Sequence, residues 1–133
     1  MKTLSLILAG AAIALTGATA ATARPSLTER NEARLERMLE GRVAGEPVQC
    51  ISAMRSNSLQ VIEHVGLVYD AGDTIYVARA SDPRQLGISD VPIIDRQGSQ
   101  LCTFDVRQTV DRSHGHITGA VFLDDFVPYT KAG

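Results

Sequence analysis

Gly66-Leu67-Val68-Tyr69-Asp70-Ala71-Gly72-Asp73-Thr74-Ile75-Tyr76-Val77-Ala78-Arg79 decides the fold class. Leu67-Val68-Tyr69 and Ile75-Tyr76-Val77 are runs of β-branched, aromatic and apolar residues, which fit a pleated, half-buried surface. Asp70-Ala71-Gly72-Asp73 between them carries turn chemistry, so the stretch reads as two antiparallel strands and a tight hairpin connection. Working outward in both directions, the same alternation of short apolar runs and turns continues. Strands are expected near 48–53, 59–64, 66–70, 74–79, 91–95, 100–104, 106–111 and 117–123, with Ser81-Asp82-Pro83-Arg84 and Arg96-Gln97-Gly98-Ser99 as further turns. Runs this short and closely spaced predict a mainly β (α+β) fold: a small antiparallel sheet or barrel-like domain with one N-terminal amphipathic helix.

That helix is expected over residues 26–40. Ser26 and Glu29 form an S-x-x-E capping box, Pro25 precedes it and Gly41 offers a left-handed stop. Leu27, Leu35, Met38 and Leu39 fall in one sector about 120° wide, the face that docks. Glu29, Glu32, Glu36 and Glu40 form a second stripe, and Arg30, Arg34 and Arg37 a third. Charge runs of this kind are ordinarily solvated faces, which is preferred here over a bipolar recognition surface. Gly41 to Pro47 reads as a hinge between helix and sheet.

Upstream, Lys2 supplies a positive n-region, Leu4 to Leu15 an apolar segment, and Thr16 to Ala20 a run of small residues. This is the composition of a cleavable signal peptide. Two A-x-A frames, Ala18-Thr19-Ala20 and Ala21-Thr22-Ala23, would leave Ala21 or Arg24 as the new N-terminus, and the first is preferred because the second brings Pro25 close to the scissile bond. A membrane-spanning helix needs about 20 apolar residues against roughly 12 here. The expected organisation is residues 1–20 as signal peptide, 21–47 as helix and hinge, and 48–133 as a β-rich domain, periplasmic or secreted, with no integral membrane segment after cleavage.

The 133-residue chain carries 13 basic and 15 acidic residues, and removing Lys2 leaves 12 against 15. A net charge of about −3 is too small to imply a charged partner, and no basic patch with interleaved aromatics supports nucleic-acid binding. The only cysteines, Cys50 and Cys102, both sit in strand-like settings. In an oxidising compartment they can pair in only one way, so a structural disulfide is expected over a pair of buried free thiols or a reactive redox pair. A redox pair would ordinarily show C-x-x-C spacing at a helix N-terminus, which is absent.

Candidate chemistry is sparse. In Asp111-Arg112-Ser113-His114-Gly115-His116, His114 and His116 point the same way if extended, and Asp111 could add an oxygen ligand to a metal. The plainer reading is a polar turn between strands, with Gly115 at positive φ. His64 is expected as a histidine at the edge of the core. Asp124 and Asp125 would face opposite sides of a strand and serve local backbone bonding rather than acid–base work. No serine stands in a G-x-S-x-G elbow, no phosphate cradle occurs, and Asp70 to Asp73 is too short for a calcium loop. No cofactor is expected.

Leu39-Glu40-Gly41-Arg42-Val43-Ala44-Gly45-Glu46-Pro47-Val48-Gln49-Cys50-Ile51 resembles the opening of a group of small exported proteins from alphaproteobacteria. So does the pairing of Ser99-Gln100-Leu101-Cys102 with Asp124-Asp125-Phe126-Val127-Pro128-Tyr129-Thr130-Lys131. The resemblance spans roughly residues 38–131 and implies export and a β-rich domain with paired cysteines. It implies no activity, and His114-Gly115-His116 lies outside the shared pattern. By elimination the sequence reads as a non-enzymatic binding or envelope-interaction module, with an envelope protein as candidate partner. The alternatives are a ligand- or metal-binding module using His114 and His116, and a small hydrolase with a dispersed site.

Overall fold

A computed structural model describes residues 23–132, so the expected signal peptide over 1–20 lies outside the described residues. Helix α1 (Leu27–Met38) is followed by strands β1 (Arg42–Ala44), β2 (Cys50–Ser52), β3 (Leu59–Ile62), β4 (Gly66–Asp70), β5 (Thr74–Arg79), β6 (Asp90–Ile94), β7 (Gln100–Cys102), β8 (Val106–Asp111), β9 (Ile117–Ala120) and β10 (Val127–Lys131). They form a five-stranded sheet in the order β1-β10-β5-β4-β3, a β2–β7 pair and a three-stranded sheet β6-β8-β9. All pairings are antiparallel. These sheets are open, so of the two expected forms it is the packed antiparallel sheets, not a closed barrel, that the chain adopts.

The β4–β5 hairpin is the middle layer. Its strands present two apolar faces, because side chains alternate from one side of a sheet to the other. Leu67, Tyr69 and Ala78 pack into a cluster with Ile51, Ala53, Leu101, Val106, Val121 and Phe126. Val68, Ile75 and Val77 pack on the opposite side with Leu35, Ile62 and Val65. The helix therefore covers one face and the two smaller sheets the other. A sheet so covered reads as a near-continuous apolar run, which is why Gly66 to Tyr69 is buried without a break. Gly66 also fixes the spacing of the hairpin: a Cβ there would lie 2.1 Å from the Ala78 carbonyl oxygen.

Helix α1 follows its sequence signals closely. Ser26 accepts a hydrogen bond from the Glu29 amide at 3.1 Å, the first half of the expected box, and Gly41 lies at φ 73° just past the end. Leu35 is 1% exposed, and Met38 and Leu39 pack beside it, as the apolar sector requires. The polar flanks do not all face water. Arg79 pairs with Glu32 at 2.7 Å, Asn31 donates to the Glu63 carbonyl, and Arg34 donates to Gln60. The bond to Glu32 raises the Arg79 pKa further above its usual value. An exposed pair of this kind contributes at most about 1 kcal/mol, so it orients a helix that the Leu35 contact holds.

Two strands stand where none was expected. Arg42–Ala44, expected as part of a hinge, forms β1 and pairs with β10 in the register Val43↔Thr130. The C-terminal β10 itself runs between β1 and β5 despite Pro128. The Pro128 carbonyl accepts from the Gly45 amide at 2.7 Å, so its ring nitrogen faces the same side, past the last residue of β1, where a donor is not needed for the ladder.

Cys50 and Cys102 form the expected disulfide, directly opposite each other in the β2–β7 pair with Cα atoms 4.0 Å apart. The Thr103 amide donates to the Gln49 carbonyl, which makes Cys50/Cys102 a non-hydrogen-bonded pair, the position where opposed strands come closest. Closing this loop of 52 residues stabilises the fold by about 4 kcal/mol in the chain-entropy account. A Cys50→Ser/Cys102→Ser double variant should lose about 4 kcal/mol in urea denaturation, with a larger m-value because the unlinked denatured chain is more expanded. A loss below about 1 kcal/mol would mean that the β2–β7 pair is held by packing alone.

Candidate functional site

The structure brings Asp111, His114 and His116 together at the tip of the β8–β9 hairpin, with one ligand atom from each within 4.8 Å of the others. Asp111 organises the turn. Its Oδ1 accepts from the backbone amides of Ser113 at 2.9 Å and His114 at 2.8 Å, and lies 3.0 Å from His114 Nδ1. Gly115 takes the positive φ of 72° that the turn needs. The expected polar turn and the expected gathering of ligand types are thus one structure. These bonds, the His114 amide first, hold the Asp111 pKa below the ordinary 3.8. Asp111 is half-buried while both histidines are exposed.

The remaining candidates serve the fold. His64, expected within a strand, sits in the three-residue β3–β4 turn at φ 63°, with Nδ1 3.2 Å from the Thr28 hydroxyl. It is half-buried under the helix, and is not one of the three residues gathered at the β8–β9 tip. Among the described residues the Asp124 carboxylate bonds no local backbone. It accepts from the Ser81 hydroxyl at 2.9 Å, tying the C-terminal segment to the chain leaving β5. Asp125 is exposed. Asp70 caps the β4–β5 turn by accepting from the Gly72 amide at 2.8 Å.

A different site lies where the β2–β7 pair, the edge strand β3 and the end of β6 meet. A cavity of about 220 Å³ opens there, walled by Ala53, Leu59, Ile94 and Leu101, with Tyr69 at its floor and Arg55 and Arg96 beside them. Arg55 and Tyr69 also line an adjoining, more open and more polar groove of about 630 Å³. The segment after β2 is fixed at both ends. The Ala53 amide donates to the Ser99 carbonyl at 2.7 Å, and the Arg55 amide donates to the Tyr69 hydroxyl at 3.3 Å. Arg96 Nη1 in turn donates to the Ala53 carbonyl. Two of the four apolar wall residues thus sit on or beside the strands that the disulfide joins: Leu101 lies in β7 and Ala53 follows β2.

Sequence reasoning did not find this cleft. Arg55 stands beside a strand and Arg96 in an ordinary turn, 41 residues apart, and no local pattern links either to Tyr69. Only the packing of β3 and β4 against the β2–β7 pair brings them together. Comparison with family models, curated proteins and solved structures finds no match for the chain.

The Asp111 turn has a defined pH signature. Because its folded pKa is depressed, the stabilisation it gives is fully present above 3.8 and is lost as pH falls below 3.8 through the folded value. In an NMR titration the Asp111 carboxyl should therefore have its midpoint below 3.8, and the Ser113 and His114 amides should shift with the same midpoint. A midpoint at or above 3.8 would show that the turn is not held by this carboxylate.

Proposed function

We propose that the protein is an exported, non-enzymatic binding module of the cell envelope, and that the cleft between the β2–β7 pair and the β3–β4 edge is where a small ligand is held. The observation that carries this reading is the concave apolar cavity, bordered by a few convergent polar groups, on the disulfide-linked side of the fold. Export is supported by the Lys2, Leu4–Leu15 and A-x-A pattern and by the disulfide, a bond that persists in oxidising compartments. Among the described residues no helix is long and apolar enough to cross a membrane. A cavity of about 220 Å³ is below the 300–1,000 Å³ of drug-sized sites, so the ligand is small.

The test uses the mature chain recovered from the periplasm of an expressing Gram-negative host, whose intact mass also gives the cut site. Titration with 1-octanol should shift the methyl resonances of Ala53, Leu59 and Leu101 saturably, with a dissociation constant of roughly 1 mM for so few atoms. Shifts scattered over the surface, or none that saturate, would refute the cleft as a ligand site.

A second reading is favoured by the hairpin tip. Asp111, His114 and His116 supply two imidazoles and a carboxylate, a donor set suited to zinc or copper. Ligands on one tetrahedral zinc lie about 3.4 Å apart, so the 4.8 Å spread must close by rotation of the exposed imidazoles. Zinc calorimetry should then give saturable heat that falls when His114 is replaced by Ala; no heat, or heat unaltered in His114→Ala, ends this reading.

A further inference from the structure

We propose that the ligand of the cleft is a small carboxylate with an apolar body, its carboxylate held between Arg55 and Arg96 and its tail laid against Leu59, Ile94 and Leu101. The inference rests on the reading of the cleft as a binding site and adds the chemical class of what enters it.

Three observations carry it. First, Arg55 and Arg96 both line one small cavity, and among the described residues no Asp or Glu lines it with them, Asp70 belonging to the adjoining groove. The chain as a whole has more acidic than basic residues, 15 against 13, so this concentration of positive charge runs against the balance of the molecule. Second, the two arginines keep donors in hand. The arginines in ion pairs among the described residues are Arg79, Arg84 and Arg112, whose partners are Glu32, Asp82 and Glu63. Arg55 and Arg96 form no such pair there. Arg96 uses Nη1 on the Ala53 carbonyl, which holds the side chain at the cavity while its other nitrogens can still donate. Third, the Tyr69 hydroxyl accepts from the Arg55 amide, so its own proton can be given to a ligand oxygen.

Each half of the ligand answers a different part of the wall. A purely apolar molecule would leave two guanidinium groups beside it without a counter-charge. A bare anion would leave the Leu59, Ile94 and Leu101 surface wet. A carboxylate offers two oxygens in one plane, the geometry that the guanidinium fork matches. The adjoining groove, which shares Arg55 and Tyr69 with the cavity, gives a polar approach from solvent.

Octanoate and 1-octanol form the matched pair that tests this, titrated into the mature oxidised protein and read at the Ala53, Leu59 and Leu101 methyls. Octanoate should bind about tenfold more tightly than octanol at low ionic strength, and the gap should narrow as salt screens the charges. Arg55→Gln and Arg96→Gln should each weaken octanoate severalfold, and the double variant should bring the two affinities close to equality. Arg55 is exposed and its side chain carries no bond to the fold among the described residues, so Arg55→Gln decides the matter even if Arg96→Gln loosens the Ala53 segment. Equal affinities in the unaltered protein, or an octanoate preference insensitive to salt and to Arg55→Gln, would overturn the carboxylate while leaving the cleft as a site. Saturable binding of neither probe would overturn both.

Discussion

Everything in this fold is arranged around a sheet that must be covered twice. A two-stranded hairpin is marginal alone in water, and β4–β5 is apolar on both faces, so neither can be left to solvent. One face takes α1 through Leu35, Met38 and Leu39. The other takes the β2–β7 pair, β8 and the buried Phe126, which is 0% exposed. Such a sheet gains burial but gives up the usual protection against register slips. When only one face is apolar, a one-residue shift would turn the greasy side to water. Here both faces are apolar, and register falls instead to features that do not shift: the Asp70–Gly72 turn bond and the backbone approach that only Gly66 permits.

The sequence was most informative where the determinants are local. The hairpin at 66–79 and the strand 106–111 match their observed limits, because turn chemistry marks their ends. Helix α1 is legible for the same reason, through Ser26 and Gly41. What could not be read is what depends on distant partners. Arg42–Ala44 is a three-residue strand, mostly exposed, and extended only because β10 lies beside it. β10 carries Pro128, and a proline argues against an interior strand until the neighbour it faces is known to end there. His64 looked like a strand residue because Val61-Ile62 and Val65 flank it, yet it occupies a left-handed turn held by Leu86 and Thr28.

The two candidate sites divide along the same line. Asp111, His114 and His116 lie within six residues, so their meeting follows from the turn they build, and sequence spacing pointed to them. The cleft joins Tyr69 of β4 with Arg55 and Arg96 from two separate connecting segments, and its apolar lining consists of residues that any reading of the chain assigns to the core. Leu59, Ile94 and Leu101 carry no mark that distinguishes a wall facing a cavity from one facing another side chain. Such a site is written in tertiary contacts rather than in motif.

The position of the disulfide constrains how this chain can change. Cys102 is buried at 6% exposure while Cys50 is half-exposed at the edge of the β2–β7 pair. Replacing Cys102 alone leaves Cys50 as a reachable thiol, whose thiolate can attack a disulfide of another molecule, forming a mixed disulfide and releasing that molecule's other sulfur as a thiol. Replacing Cys50 alone leaves a buried thiol and an unstapled wall. A lineage drifting at either codon therefore passes through a form that is both loosened and reactive, and the two positions can be exchanged for another solution only together.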